Sequence, residues 1–209
     1  MQALPALPQS TQYRLIEVPL LSRSLLLSLL TICLFCVAAQ LAPLNALLEW
    51  QRPLIEAGQW WRILTGNFTH TNWAHLGMNI SGLLIISYLF RFDLTTGRFW
   101  LLLASLSLIV GLSLLFTRLD GYSGLSGLLH GILIWGACQD IRAQRAGGRL
   151  LLIAGILKIS WDLYSGGSAE TASMINAQIA VEAHLAGAVG GLLLAMLPPA
   201  FRLSASPVK

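Results

Sequence analysis

Apolar residues fall into six long runs along this chain, and the segments between them carry most of the polar and charged side chains. The runs cover residues of about 24–44, 73–90, 99–117, 122–138, 150–164 and 183–197, and the last stops at Pro198 and Pro199. A membrane-spanning helix needs about 20 mostly apolar residues. The fourth and fifth runs are short, and the fourth is rich in glycine. The pattern predicts an all-α polytopic membrane protein with six transmembrane helices in one domain.

Composition points to the same environment. The chain has 209 residues, of which 56% are hydrophobic and 11% are charged, and its mean hydropathy is +0.70. A soluble domain carries about 25% charged residues, so the lipid bilayer is the expected surrounding. The formal charge of +4 comes from basic residues that are scattered between the apolar runs. Such residues form no patch for a nucleic acid, and they are typical of membrane-flanking anchors.

Basic residues also indicate the orientation of the chain, because Lys and Arg are concentrated in cytoplasmic loops. With both termini in the cytoplasm, nine basic residues are cytoplasmic and three lie on the opposite side. We therefore predict a cytoplasmic N-terminal segment at 1–23, a membrane domain at 24–199 and a cytoplasmic tail at 200–209. The starts of the second, fourth and sixth helices then share the extracytoplasmic side. The cytoplasmic set is Arg14, Arg23, Arg91, Arg98, Arg142, Arg145, Arg149, Arg202 and Lys209, the opposite set is Arg52, Arg62 and Arg118, and Lys158 falls within the fifth span.

The cysteines and the N-terminus add little. Cys33 and Cys36 lie inside an apolar run and Cys138 ends another, which favours small buried thiols over a redox or metal pair. No disulfide framework is expected. No small-residue cleavage site follows a short apolar core near the N-terminus, so no removable signal peptide is predicted.

A serine in a glycine-rich turn is the first feature that carries chemistry. Gly124-Leu-Ser126-Gly127 removes side-chain bulk beside the hydroxyl, so that a substrate backbone could approach it. A second, overlapping copy is centred on Ser123. Ser126 is favoured because a helix continues after it and places His130 four residues on, on the same face. The alternative is that these small residues only pack helices together.

His184 is the predicted base for this serine. It opens the sixth apolar run, and Gly187 and Gly191 follow one and two turns later on its own face. A bare stripe of this kind lets another helix come close enough for an imidazole to hydrogen-bond a serine. A packing face that happens to carry a histidine is the alternative.

His75 and Asn79 are four residues apart, so both side chains point the same way on the second helix. Together with the Ser126 amide they could donate hydrogen bonds to an oxyanion. An interhelical polar clamp is the alternative, and His70, just before the helix, could simply hydrogen-bond loop backbone. Trp61 and Arg62, in the first loop, fit an aromatic belt with a basic anchor.

A metal site is disfavoured, although the chain has four histidines. His70 and His75 are five residues apart, about 140° around a helix, which is poor for joint ligation. No H-E-x-x-H is present, and we expect no acidic residue within the helical cores near the histidines. We predict no metal and no other cofactor.

Taken together, these motifs resemble the rhomboid family of intramembrane serine proteases. The matching segments are Gly58-Gln-Trp-Trp61-Arg62, His70…His75-x-x-x-Asn79, Gly124-x-Ser126-Gly127 and His184-x-Ala-Gly187-x-x-x-Gly191, in family order. The resemblance implies a six-helix bundle with a Ser126–His184 dyad in a water-filled cavity that opens to the extracytoplasmic side. It also implies an oxyanion site formed by His75, Asn79 and the Ser126 amide, with Gly124, Gly127, His130 and Gly187 beside the substrate.

One departure from the family pattern concerns His130, because the residue at this position is often an aromatic that stacks on the catalytic histidine. The run Gly-Leu-Ser126-Gly-Leu-Leu-His130-Gly131 is similar to the rhombosortase branch. That resemblance implies a bacterial inner-membrane enzyme. Its partner would be a transmembrane protein substrate, a bacterial surface protein that ends in a Gly-Gly-type C-terminal sorting tail.

Two other classes of protein remain as alternatives. A catalytically inactive rhomboid-like binding or quality-control protein is disfavoured by the intact Ser126 and His184 pair. A small transporter or channel would need polar residues through the helix centres and repeat symmetry, and neither is visible. Glu182 precedes His184 by two residues and would point elsewhere on a helix, so a dyad without an acid is expected.

Overall fold

The structure is a computed structural model that describes residues 20–197. In chain order its elements are α1 (Arg23–Ala39), α2 (Leu44–Leu48), β1 (Trp50–Gln51), α3 (Arg52–Glu56), α4 (Arg62–Thr65), a 3₁₀ turn (Gly66–Phe68), α5 (Trp73–Leu89), α6 (Thr96–Ser113), a 3₁₀ turn (Leu114–Phe116), β2 (Gly121–Tyr122), α7 (Ser126–Arg142), α8 (Gly148–Ser165), α9 (Ala169–Ile175) and α10 (Val181–Met196). Most of the predicted N-terminal segment, Pro198, Pro199 and the predicted tail lie outside the described residues, as do Arg14, Arg202 and Lys209.

Each of the six predicted apolar segments overlaps one long helix, namely α1, α5, α6, α7, α8 and α10. Among the described residues, one helix meets a combined criterion of length and hydropathy for a membrane span, Thr96–Phe116, with a mean hydropathy of 2.4. Helices α8 and α9 meet the criterion as a pair that is bent by 80°, and α1, α5 and α10 are apolar but shorter. The protein is therefore helical and apolar, and the count of six spans stays a prediction.

The fourth helix begins later than the apolar run predicts, at Ser126 rather than at residue 122. Gly121 and Tyr122 instead form the short strand β2, which pairs antiparallel with Trp50 and Gln51 of β1. The pairing ties the first loop to the turn before α7. It also leaves Ser126 as the first residue of the helix, where its backbone N–H has no partner in the preceding turn.

Helix α7 lies at the centre of the bundle and packs against α5, α6, α8 and α10. Its contact with α10 is the closest. A Cβ atom at Gly187 would lie 1.8 Å from the Gly127 carbonyl oxygen, and one at Gly191 would lie 2.0 Å from that of Gly131. Any side chain at either glycine would therefore overlap the facing backbone. These glycines set the distance between the two helices that carry the predicted nucleophile and base.

The first loop is held by buried hydrogen bonds to carbonyl groups. Arg62 is 3% exposed, and its guanidinium donates to the carbonyls of Ala46 and Glu49 at 3.0 and 2.7 Å. Trp61 is largely exposed and donates from Nε1 to Leu47 at 3.1 Å. The interpretation of Arg62 as an interfacial anchor is wrong, because its buried guanidinium donates to carbonyl groups within the loop. Trp61 remains compatible with a membrane interface.

Candidate active site

Ser126 and His184 meet although they are 58 residues apart. Ser126 Oγ lies 2.9 Å from His184 Nε2. Ser126 begins α7, and His184 lies in the first turn of α10. Gly127 lets the two helix starts lie side by side, because it has no Cβ. A Cβ at this position would lie only 2.9 Å from the Ala183 carbonyl oxygen. A hydroxyl and an imidazole at this separation form the arrangement in which a serine can lose its proton to a neighbouring base.

Asp162 completes the contacts of His184, and the analysis of the sequence did not identify it. Its Oδ2 lies 3.2 Å from His184 Nδ1, and the side chain is almost fully buried on α8. Because Nε2 faces the Ser126 hydroxyl, Nδ1 is the nitrogen that carries the hydrogen and donates it to the carboxylate. The expectation that no acid orients His184 is therefore wrong at the level of geometry.

Lys158 pairs with the same carboxylate from the preceding turn of α8. Its Nζ lies 2.6 and 2.5 Å from the two Asp162 oxygens, and its side chain is 55% exposed. A buried carboxylate is costly unless it is paired and hydrogen-bonded, and Asp162 meets both conditions. The statement that helical cores near the histidines lack acids was also wrong, since residue 162 lies within the fifth apolar run. An ionisable residue inside an apolar run is by itself a signal of function. This signal in the sequence could have identified Asp162.

His130 stacks on His184, at the position where the resemblance led us to expect an aromatic ring. The ring centroids are 4.1 Å apart and the planes differ by 20°. His130 Nδ1 lies 2.8 Å from the Ser126 carbonyl oxygen, so this nitrogen donates and the stacking geometry is fixed. His130 thus supports the His184 ring, and in the described part of the chain it makes no hydrogen bond to the Ser126 hydroxyl.

Asn79 and His75 lie together on α5, both buried, and face the turn before Ser126. A Cβ at Gly124 would lie 2.8 Å from His75 Cε1 and 3.8 Å from Asn79 Nδ2. Gly124 adopts φ +137°, a conformation that favours glycine. Asn79 Nδ2 makes no hydrogen bond within the described part of the chain. A buried amide donor without a partner costs free energy, so Asn79 Nδ2 is a donor that a ligand could satisfy.

Thr71 determines the tautomer of His75. Its hydroxyl donates to the Ile175 carbonyl at 2.7 Å, so the same oxygen accepts from His75 Nδ1 at 3.1 Å. The neutral ring therefore carries its hydrogen on Nδ1 and a lone pair on Nε2. It follows that His75 can donate from Nε2 only when the ring is protonated, whereas Asn79 can donate at any pH. The Asn72 side chain, which accepts from the His75 amide at 2.8 Å, fixes the start of α5.

His70 lies in the loop before α5 and is 1% exposed. Its ring packs edge-on against His75 with centroids 5.1 Å apart, and neither ring nitrogen has a partner in the described residues. Burial, together with the nearby His75, lowers the pKa of His70 to about 3, so this ring stays neutral. Contrary to expectation, the His70 ring makes no hydrogen bond to loop backbone within the described residues. The backbone carbonyl of His70 instead accepts a hydrogen bond from the Asn45 side chain at 3.2 Å.

One cluster among the described residues has the composition of a metal site. A ring nitrogen of His130, a ring nitrogen of His184 and an Asp162 oxygen lie within 4.8 Å of one another. Both Asp162 oxygens already contact the Lys158 ammonium, and a cation between the histidines would have to displace it. The donor set therefore does not fit a resident metal, and the expectation of a metal-free site stays a prediction.

Comparison with known families gives one match. A sequence profile of the Rhomboid domain matches residues 57–199, which is more than half of the chain and includes every residue of the cluster around Ser126. No match was found among curated proteins.

Proposed function

This chain belongs to the rhomboid family, a family of membrane-embedded proteins that includes intramembrane proteases, and on that premise we propose that it is a serine endopeptidase with Ser126 as nucleophile. The observation that carries the proposal is the 2.9 Å contact between Ser126 Oγ and His184 Nε2. A serine is a weak nucleophile at its ordinary pKa and needs an adjacent base. His184 is the only imidazole that the structure brings to this hydroxyl among the described residues.

In the first half of the reaction, Ser126 Oγ attacks the carbonyl carbon of the scissile peptide, and its proton moves to His184 Nε2. The carbonyl oxygen becomes an oxyanion in the tetrahedral intermediate. His184 then gives the proton to the leaving nitrogen, and the C–N bond breaks. The products of this half are an acyl ester on Ser126 and a free amine.

In the second half, His184 takes a proton from water, and the resulting hydroxide attacks the ester carbon. The C–O bond to Ser126 breaks, and the proton returns to Ser126 Oγ. Net hydrolysis consumes one water for each peptide bond. Because His184 acts first as base and then as acid in each half, its ring must keep one orientation throughout.

The oxyanion is stabilised by the Ser126 amide and by Asn79, and by His75 when its ring is protonated. The Ser126 N–H is available because the residue begins α7, where amides lack an intrahelical acceptor. Asn79 Nδ2 is buried and has no hydrogen-bond partner among residues 20–197. Donors that are already in place when charge develops lower the barrier most, because they need not reorganise during the reaction.

We further propose that the substrates are single-span proteins with a Gly-Gly-type C-terminal tail, cut on the extracytoplasmic side of a bacterial inner membrane. Two observations support this choice. Gly124 and Gly127 flank the nucleophile and have close neighbours, so little room is left for large substrate side chains. Glycine in the substrate also makes its helix easy to unwind. His130 belongs to the motif that resembles the rhombosortase branch, and its ring stacks on His184.

Coexpression with a Gly-Gly-tailed reporter protein tests the function and the substrate class together. We expect the parent enzyme to release the reporter with a new C-terminus at the small residues, as read by mass spectrometry, and Ser126→Ala to release none. Changing the reporter glycines to leucine should abolish cleavage. Equal cleavage of the leucine reporter, or a cut on the cytoplasmic side, would contradict the substrate assignment and leave the protease assignment standing.

A catalytically inactive rhomboid-like protein is the alternative function. It would retain the fold and bind membrane helices without cutting them. The 2.9 Å pairing of Ser126 with His184 disfavours this alternative, because an inactive protein has no need to keep a hydroxyl against a base.

A further inference from the structure

We propose that Asp162 is a positioning residue for His184, so that the reaction centre is a Ser126–His184–Asp162 triad in which Lys158 is the counter-ion of the acid. The inference rests on the proposed protease function and deepens it. The three side chains come from three different helices, α7, α10 and α8, and form one continuous line of contacts.

The hydrogen bonds along this line have a single consistent direction. The Ser126 hydroxyl donates to His184 Nε2 at 2.9 Å, and His184 Nδ1 donates to Asp162 Oδ2 at 3.2 Å. A neutral imidazole carries one hydrogen, so the bond to Asp162 fixes it on Nδ1 and leaves Nε2 free to accept. Without the carboxylate, the ring could place its hydrogen on Nε2 and face the serine with a donor, which cannot remove a proton.

The carboxylate also acts electrostatically. When His184 takes the serine proton the ring becomes a cation, and an anion beside Nδ1 stabilises that cation. Asp162 is about 1% exposed, so the attraction is screened less than it would be at the surface. The carboxylate therefore strengthens the base at the moment of proton transfer.

Lys158 explains how a carboxylate stays ionised in an apolar helix. It lies four residues before Asp162 on α8 and reaches both oxygens, while its exposed stem extends away from the bundle. Lys158 neutralises the acid, and Oδ2 accepts from both Lys158 Nζ and His184 Nδ1.

Other titratable groups also face His184 and define its electrostatic surroundings. His130 on α7 stacks on the ring, Lys158 and Asp162 approach from α8, and Glu182 lies on α10 itself. Of these, Asp162 is the one carboxylate in hydrogen-bond contact with the ring among the described residues. Removing it should weaken His184 as a base and should move the pH at which the base becomes active.

The test is the rate at which a fluorophosphonate probe labels Ser126 in the purified full-length enzyme. In this reaction the serine oxygen bonds to phosphorus, fluoride leaves and the proton goes to His184, so no peptide substrate is needed. Asp162→Asn preserves size and removes the charge. Asp120→Asn is the matched control, because it makes the same change at a side chain that is 87% exposed.

We expect Asp162→Asn to lower the labelling rate at saturating probe by about 100-fold, in the range of a lost acid–base contribution, with little change in the probe concentration for half-maximal rate. The carboxylate stabilises protonated His184, and labelling needs the neutral ring. Its removal should therefore move the inflection of the pH–rate profile to lower pH. Asp162→Glu should restore part of the rate, and Asp120→Asn should match the parent enzyme.

A parent-like rate and inflection for Asp162→Asn would overturn the triad, even if Ser126→Ala and His184→Ala are both unlabelled. Labelling of Ser126→Ala at the parental rate would instead overturn the protease function, so the two failures are distinct. If Asp162→Asn does not fold, histidine-selective ¹⁵N NMR of the parent decides. A strongly downfield Nδ1–H proton that is lost in His184→Ala supports the triad, and its absence contradicts it.

Discussion

Polar clusters of opposite character lie at the two ends of α7. At its start, Ser126 contacts His184, and the buried Asn79 amide has no hydrogen-bond partner among the described residues. At its end, Arg145 binds the carboxylates of Asp140 and Asp93. The second cluster satisfies charge with opposite charge. The first cluster leaves the Asn79 amide without a partner in that part of the chain. Such a group lowers stability unless a ligand binds it.

This difference separates groups that hold the fold from groups that are set to react. Seventeen residues of α7 place the two clusters about 25 Å apart, so each can be changed without touching the other. Substitutions at the Arg145 end should change stability and leave the labelling rate alone. Substitutions at the Ser126 end should change the rate by far more than they change stability.

The largest effect is expected at the helix contact that creates the reactive end. Gly187→Ala places a methyl group within 1.8 Å of the Gly127 carbonyl oxygen, so α10 must move away and the bond between Ser126 and His184 must break. Cleavage and fluorophosphonate labelling should both be lost, with a destabilisation of about 1–3 kcal/mol from overpacking. In-gel labelling and thermal unfolding in detergent measure the two effects.

Gly77→Ala is the matched control for that substitution. Gly77 is a helical glycine of α5 whose added methyl group would meet nothing within 4 Å. The change should leave labelling intact and stabilise the helix by up to about 1 kcal/mol. Equal behaviour of the two alanine variants would show that the close contact of α7 and α10 does not position the site.

The next largest effect concerns the oxyanion. Asn79→Ala should lower the rate of peptide cleavage by about 100- to 1,000-fold, with a smaller change in KM, as measured on a cleavable reporter. His75→Ala should approach that loss only at low pH, where the His75 ring is protonated. Because His75 donates only when protonated, the effect of its removal should shrink as the pH rises, whereas that of Asn79 should stay constant. A change confined to KM would instead assign both residues to substrate binding.

Much of the architecture follows from local pattern, which is why it could be predicted. Apolar runs locate the long helices, and the spacing of His75 from Asn79 places both on one face. The start of α7 was misplaced because strand pairing between Tyr122 and Trp50 is a long-range contact. The place of Asp162 inside an apolar run was a local signal of function, but its pairing with His184 depends on the packing of α8 against α10 and could not be read from local pattern.

Substitutions in the Arg145 cluster should lower stability and leave the labelling rate of Ser126 unchanged. Asp140→Asn removes one partner of a partly exposed ion pair, so solvent screening limits the loss to about 1 kcal/mol of stability. The labelling rate of Ser126 should not change. Thermal unfolding and labelling of the same preparation give both numbers, and a fall in rate without a fall in stability would contradict the separation of the two ends.

The smallest effect is expected at Ser123. It lies in the overlapping glycine motif but makes no hydrogen bond to His184 within the described chain, whereas Ser126 does. Ser123→Ala should retain substantial cleavage of the reporter. Complete loss of activity in a well-folded Ser123→Ala variant would transfer the role of nucleophile to that residue.

Mass-spectrometric mapping of the fluorophosphonate adduct tests the central claim most directly. After labelling the purified enzyme in detergent and digesting it, we predict one modified peptide with the phosphonate on Ser126, and no adduct in Ser126→Ala or His184→Ala. An adduct on another serine, or no adduct on a parent enzyme that cleaves its reporter, would contradict the assignment of Ser126 as the nucleophile.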